Sequence, residues 1–264
     1  MSVSPPRISV VTLRMFRAYT RRFIRRHFST VRLATAENAP ASSDRPTIVY
    51  LNHSAWWDPL TCLFLAKQLF PDHPAFAPMD AAQMGRYRVL RNVGLFGVEK
   101  GTLRGGRRFL EIGQRILARP RAMLWVTPQS RFADVRERPL AFASGLAHLV
   151  RHARHARVVP LAIEYVHWQD QLPEILVRFG PAQKAADLCQ ENVNSREVGR
   201  RLENSLEANM DALARDSASR DVTRFAILLH GKRSVSPLYD FGRRLRAFLV
   251  GQPFSAGHSV AQTQ

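Results

Sequence analysis

The stretch Thr47-Ile-Val-Tyr-Leu51-Asn52-His53-Ser-Ala-Trp-Trp-Asp58-Pro59 decides how this chain is read. Its first five residues form a β-favouring, largely apolar run of the kind that fills a strand buried on both faces. Asp58 followed by Pro59 has the grammar of a helix start, with Asp at the N-cap and Pro at the first helical position. His53 therefore sits on the loop at a strand's C-terminal end, where α/β folds place their sites. Asp58 lies five residues on, close enough to bond the imidazole Nδ1 if the loop turns tightly. A carboxylate there fixes the tautomer, stabilises imidazolium and leaves Nε2 as a general base. The same residues also read as a structural histidine beside an aspartate that only caps.

Outward from this unit, short β-branched or aromatic runs alternate with longer helical patterns. Strands are expected at Thr47–Leu51, Gly94–Glu99, Ala122–Thr127, Val158–Glu164 and Glu174–Phe179. Helices are expected at Pro59–Phe70, Gly106–Ala118, Phe142–His155 and Ser195–Arg215. The alternation predicts an α/β sandwich with a largely parallel sheet. Residues 37–46, rich in Ala, Ser and Pro, read as a linker into it.

The 264 residues carry 39 Lys and Arg against 21 Asp and Glu, a net charge of +18, with 45% hydrophobic residues. That composition is globular and excludes a disordered or collagen-like chain. Two cysteines, Cys62 and Cys189, exclude a disulfide scaffold and a four-cysteine zinc site. No apolar run reaches the ~18 residues of a spanning helix. The charge is uneven: residues 1–36 contribute +8, residues 220–250 +5, and the long middle, 37–219, only +5. Four regions follow: a basic amphipathic segment (1–36), the main domain (37–219), a basic-apolar segment (220–250) and a flexible tail (251–264).

Wound as a helix, residues 7–28 place Ile8, Val11, Met15, Tyr19 and Phe23 on one face and Arg14, Arg17, Arg21 and Arg25 opposite; Arg22 and Arg26 would snorkel. Such a helix suits an anionic membrane surface. It also reads as a face docked on the protein's own core, or as an Arg-rich transit peptide. In the C-terminal segment, Tyr239, Phe241, Leu245, Phe248 and Leu249 interleave with Arg243, Arg244 and Arg246. Two such segments at opposite ends favour a membrane surface over a cleavable presequence. No zinc-finger, RNP-type or KH signature is present, so no nucleic acid is expected.

Further blocks follow the opening motif in order. Asn52-His53-x4-Asp58 resembles the first motif of the glycerolipid (lysophosphatidate-type) acyltransferases. Gly94-Leu-Phe-Gly-Val-Glu-Lys100 resembles their second motif, Pro128-Gln129-Ser130-Arg131 their third and Val158-Val-Pro160-Leu-Ala their fourth. The resemblance spans roughly residues 45–182. It implies a mixed, largely parallel sheet flanked by helices. It also implies transfer of an acyl chain from acyl-CoA or acyl-carrier protein to a hydroxyl of a lysophospholipid or related polar lipid. His53 would take the hydroxyl proton, Asp58 would orient it, and no acyl-enzyme would form. Asn52, Lys100, Pro128, Gln129, Ser130, Arg131, Arg136 and Pro160 would contact substrate. No metal or cofactor is implied beyond the thioester co-substrate, and the expected location is peripheral, on the cytoplasmic face of a membrane.

The departures from the family pattern bear on the acceptor. Gln129 replaces the usual Glu, Ser130 the usual Gly, and Lys100 the usual Arg, which keeps charge but loses the bidentate fork. The Lys common between the first two motifs is absent, because Pro78-Met79-Asp80 occupies that region. The phosphate reader is Arg131 or, displaced, Arg136. A larger head group or a glycolipid hydroxyl thereby becomes more plausible as acceptor; surface pairing of these arginines with Asp134 and Glu137 is the competing reading. His148, His152 and His155 share a helix face, but Arg151, Arg154 and Arg157 crowd it and disfavour a metal.

Overall fold

In the computed structural model, residues 4–34, 40–168 and 170–232 are described. A helix, α1 (Val10–His27), leads into β1 (Thr30–Ala34), and then comes the opening unit, β2 (Thr47–Leu51) and α2 (Asp58–Leu69). β3 (Ala75–Asp80), α3 (Ala81–Arg86), a 3-10 turn (Arg88–Val93), β4 (Leu95–Val98), α4 (Leu103–Leu117) and β5 (Met123–Val126) follow. The rest is α5 (Gly145–His152), β6 (Arg157–Val166), β7 (Glu174–Phe179), the short β8 (Gln183–Lys184), α6 (Ala185–Leu188), α7 (Ser195–Ser219) and β9 (Phe225–His230).

The sheet runs β4-β3-β5-β2-β6-β7-β1-β9, with β8 paired to β6. The first five of these strands are mutually parallel. Beyond β6 the direction reverses: β7 is antiparallel to β6, β1 is parallel to β7, and β9 is antiparallel to β1. The fold is therefore α/β with a mixed, largely parallel sheet flanked by helices, as expected. β2 lies in the parallel half with every residue buried. Its alternation divides the core: Ile48 and Tyr50 face α4, α5 and α7, while Val49 and Leu51 face α1 and α2.

Four strands escaped the sequence reading. β1 and β9 lie inside the segments read as basic and membrane-seeking, so the folded body extends past the boundaries at 37 and 219. In β1 the arginine masked a strand buried on both faces: Val31, Leu33 and Ala34 are buried, and Arg32 is held by Glu174 and by the ring of Trp168. β9, Phe225-Ala-Ile-Leu-Leu-His230, reads in the sequence only as the apolar start of the C-terminal basic segment. β3, Ala75-Phe-Ala-Pro-Met-Asp80, lacks the β-branched residues that signal a strand. β8 is only two residues long. The helix expected over 142–155 is shortened to Gly145–His152, because Phe142 and Leu140 give their amides to Glu203 and Glu207 of α7.

The face of α1 that docks is Leu13, Arg17, Thr20 and Ile24, packed on α2 and the 3-10 turn. Arg17, expected on the polar side, is partly buried, and its guanidinium pKa is pushed down by that burial. Val11, Met15 and Tyr19 of the expected apolar stripe are left exposed, at 68%, 70% and 51%. At the other end of the body, Gly231 passes so close to α1 that a Cβ there would lie 1.8 Å from the Phe28 carbonyl oxygen. Lys232 N–H then donates to the Arg25 carbonyl at 2.7 Å. The residues expected to carry the second basic-apolar pattern, Tyr239 to Leu249, and the tail 251–264 lie outside the described residues.

Candidate active site

β2 ends at Leu51, opposite Leu161 of β6, but β6 continues five residues further, to Val166. Asn52 fills the step. Its Oδ1 accepts from Ile163 N–H and its Nδ2 donates to the Ile163 carbonyl, both at 2.9 Å, so a side-chain amide continues the ladder where the strand stops. Asn52 is 2% exposed with both ends engaged. Its place is structural, not the substrate contact expected of it.

The chain then turns through His53 into α2. His53 Nδ1 lies 2.7 Å from Asp58 Oδ2, which also accepts the Ala55 N–H at 3.0 Å. The other carboxylate oxygen, Oδ1, accepts the Tyr165 hydroxyl at 2.7 Å, and Thr61 Oγ1 stands 3.2 Å from that hydroxyl. Asp58 is thus the first helical residue, after Trp57, and caps nothing: its carboxylate turns back into the loop. Burial and the neighbouring Asp58 charge push the Tyr165 hydroxyl well above the ordinary tyrosine range, so it stays protonated and donates. Asp58 is sealed at 1% exposure, whereas the His53 side chain is 17% exposed. The carboxylate engages Nδ1, and Nε2 makes no hydrogen bond among the described residues.

The loop after β5 is zipped to His53 on both sides. Gln129 Oε1 accepts the His53 N–H at 3.1 Å, and Ala133 N–H donates to the His53 carbonyl at 2.9 Å. Gln129 is buried and Pro128, also buried, accepts the Ala143 N–H, so both shape the loop from within. Ser130 has a φ of 56°, the left-handed region where glycine is favoured, which is the physical reason for the family's Gly at this place. Its N–H is bonded to the Thr127 carbonyl. Phe132, 58% exposed, lays its ring 4.3 Å from the imidazole, centroid to centroid.

The expected phosphate readers fall in three places. Arg131 pairs with Glu137 through two nitrogens, and Arg136 pairs with Asp134 at 2.8 Å. These exposed pairs hold both arginines within the loop, and pairing with Arg136 depresses the Asp134 carboxyl below the usual range. Lys100, 3.9 Å from Asp80, belongs to the β4 end of the sheet. Three strand spacings of ~4.8 Å place it about 14 Å from the end of β2. Pro160 is buried inside β6 and its carbonyl accepts the Gly180 N–H, so it packs the core and does not reach substrate.

None of the described hydrogen bonds to His53 comes from a thiol or hydroxyl. Burial, then Asp58, pushes the Cys62 thiol far up, which leaves it a poor nucleophile. Of the tryptophans, Trp125 is core, Trp57 packs on Phe23 and Phe28, and Trp56 is 64% exposed. The three histidines read as a face have separate partners: His148 meets Ser195 Oγ, His152 its own helix carbonyl at His148, and His155 the Leu117 carbonyl.

The family model described as Acyltransferase matches residues 30–164, half of the chain, including β1, both members of the dyad and the loop zipped to it. The chain belongs to the acyltransferase family. No curated protein sequence matches it. Among solved structures, it is similar to the 1-acyl-sn-glycerophosphate (LPA) acyltransferase PlsC from Thermotoga maritima, with a TM-score of 0.54 and 16% identity over 76% of this chain and 79% of that one. At that identity the likeness is one of fold. The acyltransferase departs from the sequence expectation in what surrounds its dyad. Tyr165 was missed because the predicted strand stopped one residue short, although Leu161, Ile163 and Tyr165 share one parity and so one face.

Proposed function

We propose that this acyltransferase moves a fatty acyl chain from an acyl thioester, acyl-CoA or acyl-carrier protein, to a hydroxyl of a lysophospholipid or related polar lipid. The observation that carries the reading is the His53–Asp58 pair: a sealed, triply bonded carboxylate behind an imidazole that stays partly exposed. The acceptor hydroxyl gives its proton to His53 Nε2 as its oxygen attacks the thioester carbonyl. The Nδ1–H bond to Asp58 stabilises the imidazolium that forms. The tetrahedral intermediate collapses, the C–S bond breaks, and the thiolate leaves with the proton returned by Nε2. Arg131 and Arg136 already hold carboxylates of their own loop. Exposed pairs of this kind are worth at most ~1 kcal/mol, so an incoming phosphate can displace them.

A peripheral seat on the cytoplasmic face of a membrane fits the same reading. Met15 and Tyr19 lead through Phe23 to Trp56, with ring centroids 5.7 and 6.4 Å apart, and so to the loop that bears His53. No helix among the described residues is long and apolar enough to cross a membrane. The test is His53→Ala, assayed with labelled acyl-CoA and a panel of lysolipids and glycolipids resolved by mass spectrometry. Loss of at least 10³-fold in transfer, with vesicle binding kept, is expected for removal of the base; undiminished transfer overturns the mechanism.

A further inference from the structure

The His53 backbone is pinned on both sides, by Gln129 Oε1 at its N–H and by Ala133 N–H at its carbonyl. Its ring is held by one hydrogen bond, from Nδ1 to Asp58 Oδ2 at 2.7 Å. That bond fixes the position of one nitrogen and leaves the ring plane loosely set, because the χ2 torsion of histidine has a broad well. A general base has to be held more tightly, within about 0.5 Å and 10–20° of its productive geometry.

Phe132 supplies the second contact. Its ring centroid lies 4.3 Å from that of the imidazole, with 36° between the planes. No other aromatic ring meets His53 among the described residues. The chain delivers this ring by construction: Ala133, the next residue, carries the N–H that bonds the His53 carbonyl. On the other side Arg131 braces the turn, its Nη1 donating to the Phe132 carbonyl at 3.3 Å and to Glu137 at 3.1 Å. The far end of the loop is tied to α7, where Glu207 accepts the Leu140 N–H and Glu203 the Phe142 N–H. Phe132 nevertheless stays 58% exposed, so filling the core does not account for it. What the ring does is face the base. An aromatic face is electron-rich and attracts a cation more strongly than a neutral ring, so it favours the imidazolium over the resting imidazole.

We propose that Phe132 is a positioning residue for acyl transfer: its ring sets the plane of the His53 imidazole, and its face stabilises the imidazolium formed when the acceptor hydroxyl gives up its proton. This rests on the acyl-transfer reading and adds to the dyad a third member, brought by the loop after β5. Asp58 acts in the ring plane, at Nδ1, and Phe132 acts from above it.

Two full-chain variants test it. Phe132→Leu keeps apolar bulk and loses the π face, whereas Phe132→Tyr keeps both; the exposed position lets either fold. In histidine-labelled protein the His53 ring resonances are assigned, among the nine histidines, by their loss in His53→Gln. They should carry a ring-current displacement that disappears in Phe132→Leu and persists in Phe132→Tyr. In parallel, kcat should fall about threefold or more in Phe132→Leu with KM within twofold, and Phe132→Tyr should restore it. Equal kcat in the Leu and Tyr variants, a loss confined to KM, or His53 resonances unmoved by Phe132→Leu overturns the proposal. Failure of the acyl-transfer reading itself shows differently, as no transfer by any of the proteins, while the resonances still report whether Phe132 seats the ring.

Discussion

Tyr165 is the residue on which the dyad's geometry turns. Its hydroxyl occupies the Asp58 oxygen that His53 does not use, and it is held from behind by Thr61. A hydrogen bond to a charged group contributes about 1.5–3 kcal/mol. Tyr165→Phe should therefore cut kcat about tenfold or more while KM stays within twofold, because the phenyl ring keeps the packing and loses only the donor; an equal rise in KM with kcat kept would show that Tyr165 acts on binding instead. Ser130 offers a second test. A left-handed L-residue costs about 1–2 kcal/mol, of which glycine's extra unfolded-state entropy returns about 0.5–1. Ser130→Gly should stabilise the fold by about 0.5–1 kcal/mol, read as a Tm gain of about 2 °C. His53 and Asp58 were legible in the sequence because the strand-loop-helix grammar is local. Asn52 and Tyr165 were not, since their partners lie 111 and 107 residues away and only the strand register brings them together.

Among elements, β6 does the most varied work: it pairs with β2, β7 and β8, lies under α7 and delivers Tyr165. Its residue Glu164 is half-buried, and burial raises its carboxyl above the usual range against the opposing bond from Ser217. The folded state therefore binds more protons than the unfolded one in the window just above the ordinary Glu value of ~4.3. Stability falls as pH rises through that window and is lower above it. Glu164→Gln should raise Tm at pH 7 by on the order of 1 °C, and the gain should vanish below about pH 4; a constant gain at both pH values would refute the linkage. The parallel strands were legible because β2, β5 and β6 are buried on both faces and read as continuous apolar runs. β1 was hidden by its arginine, β9 by the basic residues on either side of it, and β3 by its alanines and proline.

For the whole molecule, the excess charge resolves into two surfaces with different neighbours. The α1 arginines flank the exposed stripe of Val11, Met15 and Tyr19, and the chain beyond β9 leaves beside the end of the same helix, at Lys232. The β4 edge carries much of the remainder: residues 81–119 hold nine Lys and Arg against two Asp and Glu. If the first surface seats the enzyme on a membrane, Met15→Glu with Tyr19→Glu removes two apolar anchors worth about 1.5–3 kcal/mol each. Sedimentation with anionic vesicles should then fall at least tenfold, and an unaltered partition would reject that seat. The overhang of β6 past β2 also has a bearing on which length changes the enzyme tolerates. Tyr165 meets Asp58 because it shares parity with Leu161 and Ile163, and one residue inserted between Leu161 and Tyr165 would turn the phenol to the opposite side of the sheet. Such an insertion should thus be disabling, far along the chain from the histidine it would unhook.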